Sequence, residues 1–161
     1  RPDTLPMTRF RTHVLIAAGG SLVLLLGAFF FQHVMGLAPC KLCIWQRWPH
    51  AAAIAIGVAA YAVGTRALAW AGAAAAALTG IFGIYHTGVE RGFWEGPSTC
   101  TSSSPAGLSA DDFFDKVINA PPIRCDEVAW SMLGLSMASW NAIVAFALAV
   151  VWIRAATLRD G

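Results

Sequence analysis

Four long apolar segments dominate this chain of 161 residues. They cover residues 14–31, 48–64, 67–86 and 132–153, and each approaches the roughly 17–25 residues that a helix needs to cross a bilayer. None has the polar face typical of a helix on the surface of a soluble protein. With 57% hydrophobic and only 12% charged residues, the sequence predicts an all-α, polytopic membrane four-helix bundle in a lipid bilayer, with no nucleic-acid partner.

The first apolar segment has two possible interpretations. Arg9 and Arg11 precede it, as cations precede the apolar part of a secretory signal peptide. However, the segment is longer than the roughly 7–15 apolar residues of such peptides, and no clear small-residue cleavage site follows it. We therefore expect a retained first helix.

Two other segments contain residues that stand out. The second includes a single histidine, His50. The third contains the pattern Gly72-x3-Ala76-x3-Gly80, whose small side chains allow close approach of helix backbones in lipid. This pattern favours a tightly packed bundle, although alanine can also simply be tolerated there.

The distribution of cations predicts the orientation, because cytoplasmic loops carry an excess of lysine and arginine. Six cations flank the termini and the turn between the second and third segments: Arg1, Arg9, Arg11, Arg66, Arg154 and Arg159. The other two connections carry five: Lys41, Arg47, Arg91, Lys116 and Arg124. This small excess favours both termini in the cytoplasm, with one short outward-facing loop and one long one at about residues 87–127.

All four cysteines lie in the two outward-facing loops of this topology. They are Cys40, Cys43, Cys100 and Cys125. Cysteines in an oxidising compartment such as the bacterial periplasm form disulfides. Four cysteines allow three pairings, and the sequence alone does not choose among them.

The Cys40-x-x-Cys43 motif is shared by redox pairs, zinc sites and haem attachments. Haem attachment requires a histidine directly after the second cysteine, where this chain has Ile44. A zinc site would need Cys100 and Cys125 as well, but the 24 residues between them differ from the usual compact second pair. No βαβ pattern of a thioredoxin-like domain surrounds the motif. We therefore favour a membrane redox pair and expect no metal.

Two features would favour ionisation of Cys43. We expect Cys43 just before the second helix, because Pro49 is best tolerated within the first turn of a helix. A thiolate there would lie near unpaired helix N–H groups and, one turn later, near Arg47. An arginine at this position can alternatively serve only to anchor the helix at the membrane interface.

A histidine and a carboxylate end the third segment on the same outer side. His86 is followed one turn later by Glu90. A histidine at this depth can donate a hydrogen bond to a carbonyl-bearing cofactor or move protons. The two residues can equally form a simple contact without chemistry.

The other two cysteines lie in the long loop. Cys100 stands between Thr99 and Thr101, in a segment that we expect to be flexible and exposed, and Cys125 follows Arg124. An exposed disulfide in such a loop is labile to attack by an external thiolate. The alternative is a structural bridge that only staples the loop.

Several short motifs follow one another along the chain. They are Pro39-Cys40-Lys41-Leu42-Cys43 with Gln46-Arg47, then Tyr85-His86, Cys100, and Cys125-Asp126-x3-Trp130-Ser131-x2-Gly134-x-Ser136-Met137. Together they resemble the DsbB family of bacterial inner-membrane thiol:quinone oxidoreductases. The resemblance extends from the first helix to the fourth, so we expect one domain over residues 1–161.

The resemblance implies an enzyme that generates protein disulfides. In the family, the disulfide matching Cys100–Cys125 oxidises DsbA, a soluble periplasmic dithiol protein, and the cysteine matching Cys100 is attacked. Electrons then pass through a bridge matching Cys40–Cys125 to the pair matching Cys40 and Cys43. A DsbA-like partner in the periplasm is therefore expected, although a related branch oxidises dedicated partners instead.

The resemblance also implies a quinone cofactor, ubiquinone or menaquinone. The cysteine matching Cys43 faces the quinone, the arginine matching Arg47 supports it, and His86 aligns with a histidine near the same site. Glu90 departs from members that have a neutral amide there, so no role is assigned to it.

Three alternatives differ from this interpretation. A transmembrane electron conduit would need cysteines within the helices or reachable from inside, and this chain has none. A membrane scaffold would use its disulfides only to stiffen loops. A protein like vitamin K epoxide reductase shares the four-helix plan, but the Gln46-Arg47 and Cys125-Asp126 contexts favour the DsbB family.

Overall fold

The structure, a computed structural model, describes residues 4–101, 109, 111, 114–115, 118 and 123–158. Within these residues it has four long helices and one two-stranded antiparallel hairpin. The elements are α1 (Thr4–His33), α2 (Lys41–Val63), α3 (Arg66–Glu90), β1 (Ser131–Met132), β2 (Leu135–Ser136) and α4 (Met137–Thr157). Much of the loop predicted at residues 87–127 lies outside the described part.

The helices form a membrane bundle, as predicted. Three described helices are long and apolar enough to cross a bilayer, over Met7–His33, Arg66–Glu90 and Met137–Thr157. Large apolar side chains cover the outside of the bundle, among them Val23 at 69% and Ile81 at 54% exposure. Such side chains are costly in water and suit contact with lipid.

The helices pack in a ring in which α1 contacts α2 and α4, and α3 contacts the same two helices. The small-residue pattern of α3 packs against α4. A Cβ atom added at Gly72 would lie 2.6 Å from the indole of the fully buried Trp152, and one at Gly80 would lie 2.8 Å from Phe146. These glycines therefore make room for large aromatic side chains on α4.

The second helix begins earlier than the sequence predicted. It starts at Lys41 instead of residue 48, so Cys43 lies in its first turn and Pro49 in its third. The early start is stabilised by Cys40, whose Sγ atom accepts a hydrogen bond from the Cys43 backbone N–H across 3.2 Å, as an N-cap side chain does. The prediction that Pro49 marks the first turn was wrong, because the start of α2 depends on the capping side chain of Cys40, which the hydropathy of an apolar segment does not detect.

The last helix begins later than predicted, at Met137 instead of residue 132. Residues Leu133 and Gly134 both have positive φ angles, of 54° and 77°, and form the two-residue turn between β1 and β2. Ser136 then caps α4 by accepting a hydrogen bond from the Ser139 N–H. This hairpin lies at the same end of the bundle as the cysteines.

The other two helices extend beyond the predicted apolar segments. α1 reaches back from residue 14 to Thr4, and α3 continues from residue 86 to Glu90. Hydropathy marks only the part of a helix that lies in lipid, whereas backbone hydrogen bonding continues into the interface. The extra turn of α3 places Glu90 on the same helix face as His86.

Candidate redox site

The two cysteines of the C-x-x-C motif are free thiols in direct contact. The Cys40 thiol donates a hydrogen bond to Cys43 Sγ across 2.9 Å. Cys40 is 6% exposed, while Cys43 is partly exposed to the cavity described below. Because the sulfur atoms already touch, a small movement is enough to join them in a disulfide.

The two thiols differ in how readily they lose a proton. The pKa of Cys40 is raised above its ordinary value, first by the hydrogen bond to Cys43 Sγ and then by burial. Cys40 therefore keeps its proton, and Cys43 is the sulfur of the pair that ionises first. Its position at the N-terminal end of α2 is favourable for a negative charge.

Arg47 lies one turn after Cys43 and ties α2 to α1. Its guanidinium donates to the Gln32 side-chain oxygen at 2.5 Å and to the Ala28 carbonyl at 3.3 Å, and it lies 5.0 Å from the ring centre of Phe29. Its Nε atom is buried and, among the described residues, has no hydrogen-bond partner. Arg47 therefore keeps one N–H donor available to a ligand.

His86 lies between the two cysteine pairs. Its Nε2 atom is 3.5 Å from Cys40 Sγ, and its ring also forms a hydrogen bond with the backbone of Cys125. Its Nδ1 atom is 2.9 Å from the side-chain nitrogen of Gln46, which also donates to the Leu42 carbonyl. Because the Gln46 nitrogen donates, Nδ1 accepts and the proton of a neutral His86 ring is on Nε2.

Glu90 is buried next to His86. One carboxylate oxygen lies 3.8 Å from His86 Nε2, and the side chain is 6% exposed. The other oxygen has no partner within the described part of the chain. The His86–Glu90 contact considered from the sequence is therefore present.

The second cysteine pair forms a disulfide, Cys100–Cys125, with Cα atoms 5.3 Å apart. The prediction that Cys100 is exposed was wrong, because Cys100 is 3% and Cys125 0% exposed. Both pack in one buried cluster with Cys40, Leu42 and Val89. The loop thus covers the start of α2 and brings all four cysteines together.

Two polar contacts hold this loop in place. The Lys41 ammonium donates to the Thr99 hydroxyl at 2.9 Å, and the Tyr85 hydroxyl donates to the Glu95 carbonyl at 3.1 Å. The sequence did not reveal either contact. Lys41 and Thr99 are distant in the chain, and Glu95 is only one of several possible partners for Tyr85. The two contacts hold the loop beside α2 and α3, next to the buried Cys100.

The free thiols and His86 also have the composition of a metal site. The ligand atoms of Cys40, Cys43 and His86 lie within 4.8 Å of one another. The four-cysteine zinc site considered above does not match this arrangement, since Cys100 and Cys125 are bonded to each other. Thiolates joined in a disulfide are not available as ligands.

A cavity of about 440 Å³ opens beside Cys43. Its volume lies in the range of roughly 300–1,000 Å³ that is usual for small-molecule sites. Apolar side chains of α1 form much of its wall, and its polar lining includes Cys43, Arg47, His86, His50 and Asn141. The cavity therefore suits a largely apolar ligand with a few polar atoms.

The sequence analysis assigned no role to two of these residues, His50 and Asn141. Each is a polar residue inside an apolar segment, which is a signal of a functional position in a membrane helix. His50 also lies seven residues after Cys43, a spacing that places both on one face of α2. This spacing could have indicated His50, whereas Asn141 is on another helix.

Comparison with known proteins supports the same assignment as the motifs. The family model described as "Disulfide bond formation protein DsbB" matches residues 10–155. Disulfide bond formation protein B of Stutzerimonas stutzeri is 32% identical over 163 residues, covering 93% of this chain and 96% of that protein. Disulfide bond formation protein B 2 of Pseudomonas aeruginosa is 32% identical over 144 residues, covering 84% of each. No solved structure matches the chain.

The chain therefore belongs to the DsbB family. It is a helical membrane protein with an oxidoreductase role in disulfide bond formation. The resemblance inferred from the motifs is confirmed.

Proposed function

We propose that this member of the DsbB family is a thiol:quinone oxidoreductase of the bacterial inner membrane. In this proposal both termini are cytoplasmic and the cysteine loops face the periplasm, where a DsbA-like protein is oxidised. Ubiquinone or menaquinone is the electron acceptor. The observation that carries the proposal is a cavity lined by both the Cys43 side chain and the Arg47 side chain with its unpartnered N–H.

The first half of the reaction is thiol–disulfide exchange. A partner thiolate attacks Cys100 Sγ, so a mixed disulfide forms and the bond to Cys125 breaks. The second partner thiol displaces Cys100, which leaves the partner oxidised and Cys100 and Cys125 reduced. These two then exchange with a Cys40–Cys43 disulfide through a Cys40–Cys125 bridge. The buried cluster of Cys40, Cys100 and Cys125, against which the partly buried Cys43 packs, supports this exchange.

The second half returns Cys40 and Cys43 to the disulfide. Their oxidation releases two electrons and two protons. Cys43, Arg47 and His86 line the cavity that would hold the quinone, which would supply the acceptor for these electrons and protons. Cys43 ionises first and contributes the reactive sulfur, while Arg47 donates its free N–H to a ligand carbonyl oxygen. His86 holds a proton on Nε2 between Cys40 and Cys125.

Quinone reduction tests the proposal directly. The purified protein in detergent is mixed with a reduced DsbA-like protein and ubiquinone-1, and the quinone absorbance is followed. We expect turnover that is lost in Cys43→Ser. Turnover of Cys43→Ser at the wild-type rate would show that the relay through Cys43 is wrong.

Thiol trapping distinguishes the enzyme from a scaffold. The reduced DsbA-like partner carries a serine in place of its second active-site cysteine. Its remaining thiolate attacks Cys100 and breaks the Cys100–Cys125 bond, and we expect the mixed disulfide to accumulate because the partner has no second thiol to displace Cys100. A scaffold would give no such adduct, and the double variant Cys100→Ser/Cys125→Ser serves as the matched control.

A further inference from the structure

His50 lines the cavity and has a buried polar atom without a partner. The side chain is 3% exposed and lines the cavity. Its Nδ1 atom has no hydrogen-bond partner among the residues that the structure describes. Buried polar atoms are nearly always hydrogen-bonded, so an unpartnered atom in a cavity wall marks a position for a ligand atom.

Two backbone carbonyls fix the orientation of the side-chain amides next to His50. The Gln46 nitrogen donates to the Leu42 carbonyl at 3.1 Å, so Gln46 Oε1 is the atom that faces Asn141. The Asn141 nitrogen donates to this oxygen at 2.8 Å and lies 3.4 Å from the Thr79 carbonyl. A carbonyl oxygen only accepts hydrogen bonds, so both amide nitrogens are identified. Asn141 Oδ1 therefore faces His50.

This orientation fixes the position of the His50 proton. Asn141 Oδ1 lies 2.8 Å from His50 Nε2 and can only accept. Nε2 therefore carries the proton of the neutral ring, and Nδ1 keeps an unpartnered lone pair on a side chain that lines the cavity. A quinone oxygen also presents lone pairs, whereas a hydroquinone hydroxyl donates a proton. The bare Nδ1 atom thus suits hydroquinone and not quinone.

His50 lies on the same face of α2 as the reactive sulfur but further along the helix. Cys43, Arg47 and His50 are spaced by four and three residues, so they share one face of the helix. At about 1.5 Å per residue, His50 lies about 10 Å deeper along α2 than Cys43. The Arg47 and His50 side chains both line the cavity.

We propose that His50 Nδ1 accepts a hydrogen bond from a hydroxyl of the hydroquinone product, so that the cavity binds hydroquinone more tightly than it would without this atom. Asn141 is the positioning residue that keeps the His50 proton on Nε2. This inference rests on the proposed function, since it requires a quinone in the cavity.

Equilibrium binding tests the inference without turnover. The full chain carries Cys43→Ala in every sample, so that no electrons are transferred, and its Kd for ubiquinone-1 and for ubiquinol-1 is measured anaerobically. In His50→Gln, the side-chain amide occupies the position of Nε2, and no polar atom occupies the position of Nδ1. In His50→Asn, the side-chain oxygen lies near the position of Nδ1. His13→Gln is the matched control, because His13 lies in α1 far from the cysteines and binds the Arg9 carbonyl.

We expect His50→Gln to weaken ubiquinol-1 binding about fivefold to tenfold, the effect of one lost hydrogen bond, and to leave ubiquinone-1 binding unchanged. His50→Asn and His13→Gln should retain the ubiquinol-1 affinity. An unchanged ratio of the two affinities in His50→Gln, or an equal loss of both, overturns the role of His50. If the protein with His50 intact binds neither molecule, the proposed quinone function itself fails.

A second measurement does not depend on the folding of a His50 variant. In protein labelled with ¹⁵N-histidine, we expect the His50 Nδ1 resonance of an unprotonated ring nitrogen. It should shift on addition of ubiquinol-1 and change much less with ubiquinone-1. A protonated Nδ1, or equal shifts with both molecules, contradicts the inference.

Discussion

The Cys40 thiol donates a hydrogen bond to Cys43 Sγ across 2.9 Å, so the two sulfurs of the C-x-x-C motif are chemically unequal. Cys40 is the buried proton donor and the N-cap of α2. Cys43 accepts that hydrogen bond and lines the cavity. The motif therefore has one sulfur directed to the loop disulfide and one directed to the ligand site.

The first prediction concerns alkylation of this pair. In reduced Cys100→Ser/Cys125→Ser protein, we expect iodoacetamide to modify Cys43 at least about tenfold faster than Cys40, since one unit of pKa changes the thiolate population tenfold. The pKa of Cys40 is raised, so its thiol stays protonated as the pH rises through the range where Cys43 reacts. Mass spectrometry of the peptides gives both rates, and equal rates at all pH values would contradict the assignment.

The second prediction concerns Arg47. A lysine cannot reach Gln32 and Ala28 together while also presenting a third donor to the cavity. We therefore expect Arg47→Lys to raise the KM for ubiquinone-1 about tenfold or more, as for a lost charge-assisted hydrogen bond.

Arg11→Lys is the matched control for Arg47→Lys. Arg11 also donates to a backbone carbonyl, that of Tyr61, and lies over an aromatic ring, but at the other end of the bundle. Its KM should equal that of the wild type. If Arg47→Lys gives the same KM as Arg11→Lys, Arg47 serves only to anchor α2.

The third prediction concerns the packing of α3 on α4. A methyl group at Gly72 would overlap the Trp152 indole, and we expect Gly72→Ala to destabilise the bundle by about 1–3 kcal/mol. At Gly19 in α1, a Cβ atom meets nothing within 4 Å among the described atoms, so Gly19→Ala should be neutral or slightly stabilising. Unfolding in detergent measures both changes, and similar stabilities of the two variants would contradict this packing.

The fourth prediction concerns the loop disulfide. Lys41→Met keeps an unbranched side chain of nearly the same length and removes the ammonium that donates to Thr99. The loop should then open more often, and glutathione should reduce Cys100–Cys125 about twofold to tenfold faster, the effect of one hydrogen bond.

Thr99→Val removes the same contact from the opposite side. It should give the same acceleration, and the double variant should add little, because both changes remove one interaction. Additive effects would show that Lys41 and Thr99 act separately on the disulfide.

Several features of the site could be predicted because they depend on residues close in sequence. The spacing of Cys40, Cys43 and Arg47 along α2 indicated that they lie together near the start of a helix, and this is the observed arrangement. The exposure of Cys100 could not be predicted in the same way. A polar loop is expected at the surface, and only its packing on Leu42 and Val89 buries the disulfide.

Helix boundaries show a similar division. Hydropathy located the lipid-crossing part of each helix, but the start of α2 depends on Cys40 acting as an N-cap and the start of α4 on Ser136. These signals are single side chains, and an average over an apolar segment does not contain them. Gly134, which has a positive φ angle, is the local feature that could have indicated a turn within residues 132–136 before α4 begins.

The sequence by itself determined that the chain is a membrane four-helix bundle with two pairs of cysteines outside its apolar segments, since apolar length and cysteine spacing are properties of short segments. Only the tertiary structure decided that His50, Asn141 and Gln46 form one hydrogen-bonded group facing the cavity. His50 and Asn141 are 91 residues apart, and Gln46 and Asn141 are 95 residues apart. Contacts at such separations exist only once α2 and α4 have packed in the same bundle.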